Sequence, residues 1–376
     1  MVDVREGQPV AALGLMCGTS MDGVDAAILE TDGETIASRG PSLEIAPAYS
    51  AGQRTVLREV SAALAQGREG PLAEAARAVE DIHFAALTAL RARAERDPAV
   101  VGFHGQTLFH DPERARTVQA GDGARLAALA RLPVVWDFRS EDMAGGGEGA
   151  PLAPVYHWAL ARHLGLGEPV AFLNIGGVAN VTWVDPRAEV PEAKGALLAF
   201  DTGPGNALLN DWMTARTGAP MDEGGAAASA GRVHRDRLSS NAAAAYLARQ
   251  APKSLDRDAF RGVLAAMEGL TVEDGAASLA AFTVDCVAAA RRAMPRLPAR
   301  WLVTGGGRRN AAMMAGLAAT LGGPVEPVEE AGLDGDMLEA EAFAFLAVRV
   351  IRGLPTSFPT TTGCRAPVSG GRVSLP

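Results

Sequence analysis

The sequence predicts an α/β protein of two domains with related cores and a cleft between them, each domain a mixed sheet flanked by helices. Three observations carry this. A three-strand start occurs twice, within residues 9–47 and again within 170–200, with helices after each copy. In each copy the first strand breaks at glycines before the second resumes. At 376 residues, with nearly half of them hydrophobic, the chain can bury two cores.

In order, PVAALGLM at 9–16 is an apolar run ending in a Gly/Ser/Thr turn, and GVDAAILET at 23–31 resumes as a strand. A third strand lies within 35–47. Apolar spacing predicts a long amphipathic helix over 72–96. AVVGF at 99–103 and LPVVWDF at 132–138 read as strands. The Gly/Pro stretch at 143–154 reads as a loop and possible domain junction. The pattern then recurs: VAFLNIGGVANVTWV at 170–184 breaks at Gly176-Gly177, and ALLAF at 196–200 closes on DTGPGN. Helices are expected at about 206–217, 240–250, 256–268 and 271–294. The strand RWLVT at 300–304 leads through GGGRRN into a helix at 308–321, and a last helix runs from about Asp336 to Ile351. No short-period repeat is visible.

Composition narrows the function. The formal net charge is −9 and no long basic run occurs, which argues against nucleic acid or an anionic membrane as main partner. Cys17, Cys286 and Cys364 lie far apart, without zinc-ligand spacing, and fit a reduced, cytoplasmic setting. Cys286 sits at helical spacing with Leu279, Phe282, Val287 and Ala290, the pattern of a small core residue. The N-terminus lacks a signal-peptide pattern, and no stretch supplies the roughly twenty apolar residues of a membrane span.

Several motifs carry chemistry. In GLMCGTSMDGVD, Gly18 and Gly23 free the backbone, Thr19 and Ser20 supply hydroxyls, and Asp22 or Asp25 offers a carboxylate for a magnesium ion. A phosphate-binding turn and a plain Asp-Gly hairpin both explain it. In DTGPGNALLNDW, Asp201 ends a strand, Gly203 and Gly205 flank a turn, and Asn206 is placed to cap the next helix. A carboxylate there suits a general base beside a phosphate site, and a simple Asx turn is the alternative. Gly305, Gly306 and Gly307, with Asn310 following, let a flat ligand or a phosphate approach the backbone, or make only a tight strand–helix turn. GFHGQT places His104 and Gln106 at a strand end as candidate sugar contacts, against a structural role. In DFRSEDMAGGGEGAPLAP, Arg139 suits a carboxylate or phosphate and Asp142 stands nearby, against a solvated salt-bridged loop. Near the end, Asp336, Glu339 and Phe343 share a helical face, where acids also complement the helix dipole. No Walker lysine, GxSxG, HExxH or dinucleotide GxGxxG stands in a suitable context.

Taken in order, GLMCGTSMDGVDAA, GFHGQTLFH, VVWDFRSEDMAGGGEGAPLAPVYH, LNIGGVANVT, FDTGPGNALLNDW, PKSLDRDAF, TGGGRRN and EAEAFAFLA span nearly the whole chain. Together they closely resemble the anhydro-N-acetylmuramic acid kinase family. The resemblance implies two ribonuclease H-like domains of the actin/hexokinase ATPase type. It implies an ATP phosphate loop over Gly18, Thr19, Ser20, Met21, Asp22, Gly23, Val24 and Asp25, facing the β- and γ-phosphates with Mg²⁺ bridging them. Asn174, Gly176 and Gly177, within the hairpin 174–180, would form the matching loop of the second domain. Gly305 to Gly307 would lie near the nucleotide. Asp201 falls on the family's catalytic aspartate, and Glu339 on an acid at the sugar site.

The implied reaction opens 1,6-anhydro-N-acetylmuramic acid with water and phosphorylates the freed O6 from ATP. The expected division is residues 1–135 plus about 350–376 for the N-terminal domain and 136–349 for the C-terminal one. The family favours a homodimer. Two departures stand out: Glu148 where the family carries glutamine, and Cys17 where serine is usual. The rival readings are a kinase for another anhydrosugar such as levoglucosan, and a non-catalytic actin- or chaperone-like nucleotide switch.

Overall fold

The computed structural model describes residues 7–18, 21, 23–45, 49–238, 241–257 and 259–376. The chain forms two units, Met1–His163 with Asp336–Pro376, and Leu164–Gly335. The first unit thus takes in residues 136–163 and the last long helix, which the sequence division had given to the other side.

The first unit opens with β1 (Val10–Met16), β2 (Val24–Thr31) and β3 (Ile36–Ile45), an antiparallel meander. Helix α1 (Ala51–Ala65) follows, its start fixed by a reciprocal capping box between Ser50 and Gln53. Helix α2 (Leu72–Arg91) lays its apolar stripe on the core. It stops short of the expected residue 96, and Arg91 in its last turn pairs with Asp97 just beyond. Strand β4 (Val100–Phe103) joins β1 in parallel. A two-stranded hairpin, β5 (Gln106–Asp111) and β6 (Arg116–Ala120), comes next. Then come α3 (Gly123–Ala130), β7 (Val134–Trp136), α4 (Ser140–Ala144) and α5 (Pro154–His163). Strand β7 ends earlier than expected because Asp137 turns the chain into the left-handed region at φ 52°.

The second unit repeats the opening with β8 (Val170–Ile175), β9 (Val178–Val184) and β10 (Leu197–Pro204), again antiparallel. Helices α6 (Ala207–Thr217), α7 (Ala226–Ala230), α8 (Asn241–Ala248), α9 (Val263–Ala266) and α10 (Val272–Ala290) follow. The helix expected over 256–268 is reduced to the single turn α9. Strand β11 (Arg300–Thr304), α11 (Ala311–Leu321) and β12 (Val325–Pro327) complete the unit, and β11 pairs in parallel with both β8 and β12.

The chain then returns to the first unit with α12 (Leu338–Ile351) and β13 (Arg372–Ser374). The two main sheets run β13-β7-β4-β1-β2-β3 and β10-β9-β8-β11-β12. Without β13 both have the order third-second-first-fourth-fifth with only the second strand antiparallel, which is the ribonuclease H-like arrangement occurring twice. Among the described residues no helix is long and apolar enough to cross a membrane.

Helix α12 lies unusually close to its sheet. Gly14 and Gly102 are register partners on β1 and β4. A Cβ on Gly14 would stand 1.8 Å from the Ala340 carbonyl oxygen, and one on Gly102 would stand 2.1 Å from that of Phe343. Two facing glycines therefore set the height of α12, and with it the position of Glu339.

Candidate active site

In the second unit three strand ends converge. Strand β8 ends at Asn174–Ile175, β10 at Asp201–Pro204, and β11 at Thr304. The main chain closes the assembly: Gly205 N donates to Gly177 O (2.9 Å), and Asn206 N donates to Gly176 O (2.7 Å). The Asn206 amide donates to Ile175 O (3.0 Å). It makes no cap for α6, so the expected cap is replaced by a cross-link between strand ends.

There is no room for side chains at Gly205, Gly305 and Gly307. A Cβ on Gly205 would lie 2.2 Å from Gly176 O, one on Gly305 2.3 Å from Asn174 Oδ1, and one on Gly307 2.3 Å from Ile175 Cγ2. The structure thus brings together Asn174, Gly176, Gly177, Gly205, Asn206 and Gly305–Gly307 in a backbone-lined cradle. Gly203 serves packing instead, since a Cβ there would meet Cys286 Cβ at 2.6 Å. Cys286 itself is buried, and burial pushes its thiol up to about 12, as expected of a core residue. Asn310 caps α11 by accepting from Met313 N (3.0 Å).

Asp201 sits at an irregularity in the β9–β10 pairing, half-buried. Its carboxylate Oδ2 accepts from Leu255 N (2.8 Å). Its main-chain N donates to Lys253 O (2.9 Å), and its carbonyl accepts from the Tyr246 hydroxyl (2.7 Å). Tyr246, Lys253 and Leu255 were not singled out from the sequence. The available signal was PKSLDRDAF, whose Pro252 and Lys253 fall in the gap between the helices expected at about 240–250 and 256–268.

In the first unit, Thr19, Ser20 and Asp22 lie outside the described residues. Of the rest of that loop, Met21 N donates to Gly18 O (3.2 Å) and Met21 holds the left-handed φ of 58° with its side chain buried in the core. Val24 and Asp25 begin β2, and Gly23 directly precedes it. Gln106 is fully buried, and its amide donates to Gly18 O (3.1 Å). That amide anchors the loop.

Arg139 forms the second cluster. Its Nη1 donates to Gly149 O (2.7 Å), while Nε and Nη2 donate to His104 Nε2 (3.2 and 3.0 Å). The buried His104 directs Nδ1 to Gly105 O (3.0 Å), so its ring is neutral with the proton on Nδ1. Burial and the adjacent guanidinium both hold its pKa well below the usual histidine value. Burial draws Arg139 down to about 10, against the attraction of Glu339 and Asp142, so the guanidinium stays charged. Solvent reaches Glu339, yet the protein packed around it raises its carboxyl, while Arg139 pulls the other way. Phe343 of α12 packs on His104 with ring centroids 4.6 Å apart. Asp336 lies in the turn that leads into α12.

Asp142 is spent on structure. It is fully buried and accepts from Gly149 N (2.7 Å), Ser357 Oγ and Thr362 Oγ1 (2.6 Å), tying the Gly-rich loop to the C-terminal segment. Gln106 and His104 likewise support other groups, Gly18 and Arg139. Of the predicted sugar contacts, Arg139 and Glu339 remain with chemistry to offer a ligand. Arg139 has two of its five N–H groups uncommitted among the described residues.

The cradle suits a phosphate, because its rim is main chain and glycine: Gly205, Gly305 and Gly307 are packed too tightly to bear a side chain, and Gly176, Gly177 and Gly306 leave the backbone uncovered. Among the described residues no three His, Cys, Asp or Glu side chains gather to hold a metal. Magnesium commonly takes most ligands from phosphate and water with one or two carboxylates.

The sequence profile of the anhydro-N-acetylmuramic acid kinase family matches residues 10–375. A relative named anhydro-N-acetylmuramic acid kinase from Cereibacter sphaeroides is 55% identical over 374 residues, 99% of this chain and 98% of that protein. One of the same name from a Ruegeria species is 52% identical over 373 residues, 99% of this chain and 97% of that protein. A third, named anhydro-N-acetylmuramic acid kinase 1, from a Jannaschia species, is 51% identical over 368 residues, 98% of this chain and 96% of that one.

Proposed function

The chain belongs to the anhydro-N-acetylmuramic acid kinase family, and from that premise we propose that it opens the internal bridge of 1,6-anhydro-N-acetylmuramic acid with water and phosphorylates the freed O6 from ATP, giving N-acetylmuramic acid 6-phosphate. The observation that carries this is the Asp201 carboxylate, gripped by Leu255 N at a strand end that continues into the glycine cradle.

In this reading Asp201 takes a proton from the attacking water. The water oxygen bonds to the anomeric carbon, the bond from that carbon to O6 breaks, and O6 forms its bond to the γ-phosphorus as ADP leaves. The charge developing on O6 passes into phosphoryl transfer, so catalysis is chiefly positioning and charge neutralisation. Main-chain N–H groups around Gly176–Gly177 and Gly305–Gly307 hold phosphate oxygens, on a frame closed by the Gly205 and Asn206 hydrogen bonds. Asp22 would be the candidate protein contact for a Mg²⁺ carried by the nucleotide, which would supply neutralisation of phosphate charge. Arg139 offers its remaining N–H groups to the substrate's lactyl carboxylate, and Glu339 hydrogen-bonds the sugar. The same reading places the enzyme in the cytoplasm, as a homodimer.

Asp201→Asn is expected to keep ATP binding and lose turnover by several orders of magnitude, on the order of 10³-fold or more. Product analysis by ³¹P NMR in ¹⁸O-water reads both the phosphate position and the origin of the anomeric oxygen. A variant with near-normal rate, or product without ¹⁸O at the anomeric carbon, overturns the assignment. Turnover of levoglucosan at a rate equal to that of the lactyl-bearing sugar would show that Arg139 recognises no carboxylate.

A further inference from the structure

A buried cation lies one step behind Asp201. Lys253 is 6% exposed, and among the described residues the partners of its ammonium are neutral. It donates to Tyr246 O (2.9 Å) and reaches Leu247 O (3.5 Å), both in the last turn of α8. It also sits 4.4 Å from the Tyr246 ring centroid and 6.0 Å from that of Phe200. Burial lowers its pKa, so the fold bears a desolvation cost to keep an amine there.

The reason lies in what the ammonium joins. It fastens the end of α8 to the segment 251–257. These two elements hold Asp201 on three sides: Tyr246 bonds its carbonyl, Lys253 O takes its N–H, and Leu255 N donates to its carboxylate.

We propose that Lys253 is a positioning residue for Asp201: its ammonium locks α8 to the 251–257 segment so that Leu255 N and the Tyr246 hydroxyl fix the carboxylate's direction. This rests on Asp201 being the base. The titratable side chains on the packed elements are Tyr246 on α8, Arg249, Lys253, Asp256 and Arg257 beyond it, and Glu273, Asp274, Asp285 and Cys286 on α10, while β9 carries none.

The test uses the full-length chain with Lys253→Met, Lys253→Arg, Tyr246→Phe and Asp201→Asn. Lys253→Met fills the same apolar space and should lower kcat by about 30- to 100-fold, as expected for a misplaced catalytic group, with the KM for ATP within about twofold. The acid limb of its kcat/KM profile should move to higher pH, because a carboxylate that loses an N–H donor is easier to protonate. Tyr246→Phe should move the limb the same way by less, and Lys253→Arg should restore part of kcat. A role confined to stability would lower the melting temperature and leave the acid limb in place, which overturns the proposal. If Lys253→Met does not fold, an unmoved limb in Tyr246→Phe overturns it equally. A normal rate in Asp201→Asn would instead remove the reading beneath it, whatever Lys253 does.

Discussion

The two sheets begin with the same three-strand meander but close its first turn in different ways. Between β1 and β2 the chain spends residues 17–23, and the described part is anchored by side chains: Gln106 on Gly18 O, and Met21 in the core. Between β8 and β9 it spends only Gly176 and Gly177, and the anchors are the main-chain N–H groups of Gly205 and Asn206. A side-chain anchor can be exchanged for a weaker one. A backbone contact at 2.2 Å from a would-be Cβ cannot give way. One topology thus supplies an adjustable loop bearing hydroxyls and an acid, and a rigid cradle bearing none.

The same contrast governs how helices lie on the sheets. Under α12 the close contacts are carbonyl oxygens, and under α10 the contact at Gly203 is the Cys286 side chain. Gly14→Ala should therefore be the most damaging of the small substitutions, costing about 3 kcal/mol or more through backbone displacement. Gly203→Ala should cost less, because the Cys286 Cβ stands at 2.6 Å, against 1.8 Å for the carbonyl oxygen at Gly14, so a smaller shift of α10 relieves it. Urea midpoints measured for the two variants check the order, and equal losses would mean the helix–sheet distance in the first unit is not set by its glycines.

Acid should separate the units next. His83 is fully buried on α2 with Nδ1 against Val79 O (2.7 Å), and burial draws it down to about 4. His157, buried on α5, is drawn to about 3 by the same cause. Both belong to the first unit. An unfolded histidine titrates near 6.5, so each buried neutral ring contributes stability that is whole above that pH and drains away as pH falls toward the folded value. For His83 the loss approaches about 3 kcal/mol by pH 4. Hydrogen exchange at pH 7, 5.5 and 4.5 should show α2 and β4 loosening before β8 and β11. His83→Gln should flatten the pH dependence, and an unchanged slope would assign it to other groups.

How much was legible follows from the kind of force involved. The doubled meander was readable because alternating apolar runs and glycine breaks are local signals. The cradle's glycines were readable for the same reason. The supporting roles were not. His104, Gln106 and Asp142 stand in motifs that look like ligand contacts, and only tertiary placement shows them spent on Arg139, Gly18 and the 357–362 segment. Tyr246 and Lys253 escaped because their partners are main-chain atoms brought close by folding. Helix α1 escaped although its Ser50–Gln53 capping box is a sequence-level signal. The hairpin β5–β6 has long strands but pairs only with itself, and its alternation is weak.

The smallest effect tests the adjustable side of the comparison. Gln106→Leu keeps the buried volume near β5 but removes the amide that holds Gly18 O at 3.1 Å. One lost neutral hydrogen bond to a buried carbonyl costs about 1 kcal/mol or slightly more. If that loop grips the triphosphate, the cost should appear as a rise of about fivefold in the KM for ATP, beside a small drop in the urea midpoint. Gln106→Glu is the sharper form: its carboxylate would face the Gly18 carbonyl, and the rise should exceed that of leucine. A nucleotide KM unmoved in both variants would mean that the loop's shape is set without Gln106, and that the side-chain anchor seen at Gly18 has no part in holding ATP.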